Sequence, residues 1–389
     1  MTLPDSSFIP APLWVITALH ILTLSLHFIA MNFVLGGTLI VLTGRFDRRW
    51  ENPTIRRFIA LFPSAMAATV TLGVAPLLFL QLVYPRQMYS AAIVSGWFWF
   101  LVITAVIGAY YLLYAASLSG KEGASSKARF FWPALFALLY VSLVYSSVFS
   151  MAEHPDLIHR LYAQNQTGFQ WNPDAGNYLL RWLHMILGAV TVGAYCVGLL
   201  GKDDPETFPV AKRLFGYGMA AAATAGFAYL VSLKEILAGL MRTPAIWALI
   251  VGILLSLGSL HFFFTRRFLS SGLALFVSLV LMVITRHQLR VLRLQGHFDP
   301  ASWRIAPQWF PFLLFLICFV SAAILIVYMM RLFFSSQEGS TGSPGHPGEA
   351  RGPAGLGRRE EVNFQSGLSA IPEGDEGSGP DQRGAGEGR

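Results

Sequence analysis

Apolar runs of around twenty residues recur from about residue 13 to residue 335, with short polar stretches between them. A helix rises about 1.5 Å per residue, so each run is long enough to cross the hydrocarbon of a bilayer. The pattern predicts nine transmembrane helices, at about 13–43, 56–84, 91–118, 130–152, 177–200, 210–239, 244–265, 268–293 and 309–335. The fold class is an all-α integral membrane bundle. Residues 1–12 form a short leading segment whose only charge is Asp5. A cleaved signal peptide has a basic start and a shorter apolar core, so the first run is expected to be a retained span. From Ser336 the pattern stops. Residues 336–389 are rich in Gly, Pro, Ser, Glu and Arg, and bury too little apolar surface to offset ordering entropy. A disordered tail is expected there.

Charge sets an orientation. The tail holds nine acids and five bases, a net of −4, so +11 of charge lies on the membrane part of a chain whose total is +7. Arg45, Arg48, Arg49, Arg56 and Arg57 follow the first span. Lys121, Lys127 and Arg129 follow the third, Lys202, Lys212 and Arg213 the fifth, and Arg266 and Arg267 the seventh. The positive-inside rule then places the N-terminus outside and the tail in the cytoplasm. This basic excess marks cytoplasmic loops and implies no nucleic-acid partner. Arg286, Arg290, Arg293 and Arg304 break the rule at the outer end of the eighth span. No obvious internal repeat covers the chain. Cys196 and Cys318 both lie in apolar runs, which argues against a disulfide framework, and no C-x-x-C-H motif attaches a c-type haem.

Ionisable groups inside a membrane are costly and mark functional candidates. On the expected topology His20, His27, His184 and His287 fall in the outer half of the bilayer. His27 stands in Leu26-His-Phe-Ile-Ala-Met-Asn-Phe-Val-Leu-Gly-Gly37 and His184 in Leu183-His-Met-Ile-Leu-Gly-Ala-Val-Thr-Val-Gly-Ala194. Small residues two to three turns on let a flat macrocycle or another helix approach, so both are expected to ligate haem iron. The bland alternative is a histidine hydrogen-bonded to a neighbouring helix. His20 precedes His27 by about 10.5 Å of helix rise, too far to share one iron. It either ligates a different haem, bonds a propionate, or is a satisfied interfacial residue. His20, His287 and Met282 are candidate partners for His184 by depth, Met282 being as well explained by core packing. Arg286, Arg290 and Arg293, at i, i+4 and i+7, form a stripe that would clamp haem propionates or else face lipid or a partner. Lys234 and Glu235, near the outer end of the sixth span, are a candidate quinol and proton site, with a snorkelling interfacial pair as the alternative.

Three stretches resemble subunit I of the cytochrome bd quinol oxidases. The spacing of His27 and Gly36 is similar to that family's first-helix haem ligand and glycine. Leu72-Gly-Val-Ala-Pro-Leu-Leu-Phe-Leu-Gln81 resembles its second helix. His184 with Val190-Thr-Val-Gly-Ala194 resembles its fifth. The resemblance covers roughly the first two hundred residues. It implies haem b, quinol and a respiratory complex in a bacterial-type inner membrane. Several family features are missing. No acidic residue occurs between Glu51 and Glu122, where the family's third helix carries glutamates. Val283, Ile284 and Thr285 precede Arg286 where the family has a ligand glutamate. Trp247-Ala-Leu-Ile-Val-Gly252 lacks the family's ligand methionine, and the quinol loop shrinks to a few residues around Arg242. Haem d is therefore not expected. The expected function is a haem-b electron-transfer subunit of oxidoreductase type, moving electrons between quinol and an outer c-type cytochrome. The alternatives are a terminal oxidase subunit reducing oxygen and a haem-free scaffold or transporter.

Overall fold

A computed structural model describes residues 8–43, 52–118 and 124–339; the tail from 340 and the expected basic loop at Arg45, Arg48 and Arg49 lie outside the described residues. Among the described residues, nine helices are long and apolar enough to cross a membrane. In chain order the helices are α1 (Leu13–Thr43), α2 (Pro53–Ala60), α3 (Phe62–Val83), α4 (Pro85–Val94), α5 (Gly96–Leu118), α6 (Ala124–Met151) and α7 (Pro155–Gln164). There follow α8 (Ala175–Leu200), α9 (Thr207–Ser232), α10 (Lys234–Met241), α11 (Ala245–Phe264), α12 (Phe268–Leu294) and α13 (Trp309–Gly339). The last helix runs a turn past the boundary expected at Ser336.

Two expected spans differ in their details. The second is α2 and α3 together, interrupted at Leu61 ahead of Pro63, which suits a first helical turn because it has no N–H to satisfy. The sixth, expected as one helix over 210–239, breaks at Leu233. That side chain is buried with Leu240, Ala245 and Leu289, and this small cluster folds α10 onto α12. The short helices α4 and α7 lie between spans, each opened by a proline at its first turn.

The bundle is built from antiparallel neighbours: α1 with α3, α5 with α6, α8 with α9, and α11 with α12. α1 also packs along α8, and α12 along α1. Several polar side chains inside the spans bond their own helix or stitch two helices together, as a medium without water favours. Thr23, Ser25 and Thr38 donate to the carbonyls of Leu19, Ile21 and Val34 at 2.7 Å each. Ser256 meets Ser278 at 2.7 Å and Ser259 meets Ser271 at 3.0 Å across the α11–α12 contact. At the end of the bundle where α1 starts, a two-residue parallel ladder joins β1 (Phe8–Ile9) to β2 (Arg304–Ile305). It ties the leading segment to the chain beyond α12.

Candidate functional site

Where α1 crosses α8 the backbones touch. A Cβ on Gly36 would collide with the carbonyl of Ala189, and one on Gly193 would lie 2.7 Å from the carbonyl carbon of Gly36. Only glycine allows this approach. The paired positions advance together along both helices, so α1 and α8 run parallel. His27 and His184 each precede their glycine by nine residues, about 13.5 Å of rise. The crossing therefore sets both histidines at one level, toward the end of the bundle where α1 starts.

Each histidine is then held in the same way. His27 Nδ1 lies 2.9 Å from the carbonyl oxygen of Thr69 on α3, and its ring covers Gly73, where a Cβ would sit 2.8 Å from it. His184 Nδ1 lies 2.8 Å from the carbonyl oxygen of Ala222 on α9, and its ring covers Gly226, again at 2.8 Å. Acceptor and glycine are four residues apart in both cases, which is one helical turn. A carbonyl can only accept, so Nδ1 carries the proton and donates. Nε2 is left with the lone pair, which is the tautomer an axial ligand needs. His20 follows suit: buried on α1, it donates from Nδ1 to the carbonyl of Pro76 at 3.2 Å.

The arginine stripe closes onto a carboxylate that sequence reasoning did not single out. Glu153, in the turn after α6, is only 2% exposed and pairs with three guanidinium groups. Arg286 Nη2 bonds its Oε1, Arg290 Nε lies 3.4 Å from Oε1, and Arg293 Nη1 lies 3.5 Å from Oε2. Arg181 of α8, 7% exposed, adds a fourth guanidinium and donates to the carbonyl of Ser146. Burial pushes the Glu153 carboxyl up, but Arg286, Arg290, Arg181 and Arg293 together override it and hold the group at about 2. It is therefore charged throughout the physiological range.

One carboxylate does not balance four guanidiniums. Among the described residues, Arg286 Nη1, Arg290 Nη1, Arg293 Nε, His287 Nδ1 and the hydroxyls of Tyr229, Ser147 and Ser150 are buried with no hydrogen-bond partner. Leaving polar atoms unpaired costs about 1–3 kcal/mol each, more when charged. The unpaired guanidinium nitrogens of Arg286, Arg290 and Arg293, which converge on Glu153 in a region of surplus positive charge, suit an anion with several acceptor oxygens. A cleft of about 510 Å³ reaches this cluster; Glu153 and Arg293 line it together with His154, Asp156, Arg160 and His297.

The other candidates fall elsewhere. Met282 turns its methyl toward Gly252 on α11, within the α11–α12 contact. Lys234 is exposed at the start of α10, and the side chain of Glu235 lies outside the described residues. Arg304 is exposed in β2. No family model and no curated protein matches the chain.

Proposed function

We propose that the chain is a haem-b electron-transfer subunit of a respiratory membrane complex. It would carry electrons between quinol and an acceptor at the end of the bundle where α1 starts, a c-type cytochrome. On the charge pattern of the loops that end faces outward, and the membrane is of the bacterial inner type. The observation that carries the reading is the twice-built histidine seat, in which a backbone carbonyl fixes the tautomer and a glycine makes room for the ring. In both copies the Nε2 lone pair left over is available to a metal, which a histidine held only for packing would not use.

His27 and His184 would be axial ligands of haem b iron through Nε2. Bound haem supplies a one-electron iron couple. The protein's part is to orient the two imidazoles and exclude water with the surrounding apolar helices, while the buried guanidiniums of Arg286, Arg290 and Arg293 would hold the propionates of a haem in the same bundle. The orphaned donor atoms of that cluster fit carboxylate oxygens. Quinol would approach near the α9–α10 break, where Lys234 is exposed, and Glu235, the next residue in the sequence, would serve as the proton acceptor.

The test is the reduced-minus-oxidised spectrum of the purified protein, together with His184→Ala. Haem b bands that diminish on His184→Ala support the reading, and His27→Ala should diminish them too. Bands unchanged by both substitutions reject the ligand assignment. A haem d band or oxygen-reactive high-spin haem would favour a terminal oxidase subunit. Absence of haem would favour a scaffold or transporter.

A further inference from the structure

We propose that His20 and His287 are the axial pair of a further haem b, distinct from the haems of His27 and His184, whose propionates occupy the arginine cluster. The inference rests on the haem reading above and identifies which haem the cluster serves.

Depth is the first argument. His20 lies seven residues in from the start of α1 at Leu13, and His287 lies seven residues in from the end of α12 at Leu294. Both are thus about 10.5 Å from the same end of two helices that run in opposite directions and pack against each other. His20 is within electrostatic reach of both His287 and Arg290. It cannot share the iron of His27, which stands two turns further along the same helix.

The ring nitrogens give the second argument. His20 is 4% exposed and donates from Nδ1 to Pro76, so its Nε2 is left with the lone pair. His287 has a buried Nδ1 with no partner among the described residues, so the protein alone does not fix its ring. A haem iron held through Nε2 would fix the ring.

Charge gives the third. Arg286 precedes His287 by one residue, while Arg290 and Arg293 follow it by about 4.5 and 9 Å along the helix axis. The clamp therefore begins beside the ligand and extends toward the helix end, as a haem with its propionates directed to that end requires. Haem b brings two carboxylates to a cluster whose four guanidiniums have one. A free phosphate or a lipid headgroup would meet the same guanidiniums but would leave the two imidazoles unexplained.

The experiment uses the purified, haem-loaded protein, with haem counted per chain by pyridine haemochrome and ferric haem followed by low-temperature electron paramagnetic resonance. His20→Ala and His287→Ala should each remove one haem per chain, and the double variant should remove no more than either single one. The same low-spin signal should vanish in all three, while the bands that depend on His184 remain. His287→Met keeps a ligating atom, so it should retain the haem and alter its low-spin signal. This guards against an alanine variant that merely fails to assemble. Unchanged haem content in either alanine variant overturns the proposal, as does an unaltered signal in His287→Met. A loss of two haems in the double variant also overturns it, because the residues would then serve different sites. A wild-type protein without haem would sink the functional reading itself. Haem that is sensitive to His184→Ala but indifferent to His20 and His287 would sink this inference alone.

Discussion

Glu153→Gln removes one negative charge from a buried group of four guanidiniums and leaves the shape nearly unchanged. Its cost can be worked in two ways. A carboxyl whose ordinary value is 4.5 titrates here at about 2. At 1.36 kcal/mol per pH unit, the charged form is favoured in the folded chain by about 3 kcal/mol. Independently, breaking a buried ion pair by deleting one partner costs about 3–5 kcal/mol, because the remaining charge stays buried and uncompensated. The two routes agree. A lowered carboxylate value stabilises the fold above its ordinary pKa and loses that contribution as pH falls through the folded value. Wild-type protein should therefore lose about 3 kcal/mol between pH 4.5 and pH 2, and Glu153→Gln should have lost it already at pH 7. In thermal unfolding of the detergent-solubilised protein, the midpoint of Glu153→Gln should fall on the order of 5–10 °C at pH 7. The gap to wild type should narrow on acidification below pH 4.5. A midpoint within about 1 °C of wild type at pH 7 would show that Glu153 does not hold the cluster together. So would a gap that stays constant down to pH 2.

Other outcomes follow from the same geometry. Gly226→Leu puts a side chain where the His184 ring lies, so it should reproduce the haem loss of His184→Ala without touching a ligand; full haem content in absorption spectra would contradict the seat described for that ring. Arg290→Gln should lower the midpoint potential of one haem b in redox titration while leaving its absorption bands intact, because losing a guanidinium beside propionates makes an added electron less favourable. No shift in any haem would make the stripe a purely structural ion cluster around Glu153 instead. At the opposite end of the bundle, Asp204 caps α9 and bonds Asn52 and Thr54 at 2.9 Å each. Burial raises its carboxyl, but bonds from Thr207, Asn52 and Glu206 together outweigh it and hold the group below its ordinary 3.8. Asp204→Ala should cost about 1 kcal/mol at neutral pH, seen as a lower unfolding midpoint. The loss should begin to shrink as pH falls below the ordinary carboxylate value and vanish only below the lowered folded one.

The nine spans were legible because hydrocarbon solvates apolar side chains at every helix face, so a run of them needs no knowledge of what it packs against. The same feature hid the break at Leu233: apolar residues continue across it, and only the packing of Leu233 and Leu240 on Leu289 turns the chain. Pro85 and Pro155 open α4 and α7, but ten residues each are too few for a periodicity to emerge. The four histidines and the arginine stripe stood out because each is costly in lipid. What positions them did not. The oxygens that hold His20, His27 and His184 belong to the backbones of Pro76, Thr69 and Ala222, and a backbone carbonyl has no letter in a sequence. Only the glycines one turn on from Thr69 and Ala222 leave a trace. Glu153 was invisible for a different reason. It sits just beyond the end of a span, where a carboxylate costs little and attracts no notice, and its partners are 133 to 140 residues away. It acquires meaning only when α6 and α12 deliver their ends to one place. The site is thus made from two kinds of information. Expensive residues announce themselves along the chain, and inexpensive ones become functional through the packing that brings them beside the first kind. A search for such sites in membrane sequences gains most by asking, for each basic stripe at a helix end, which carboxylate in the neighbouring turns could reach it.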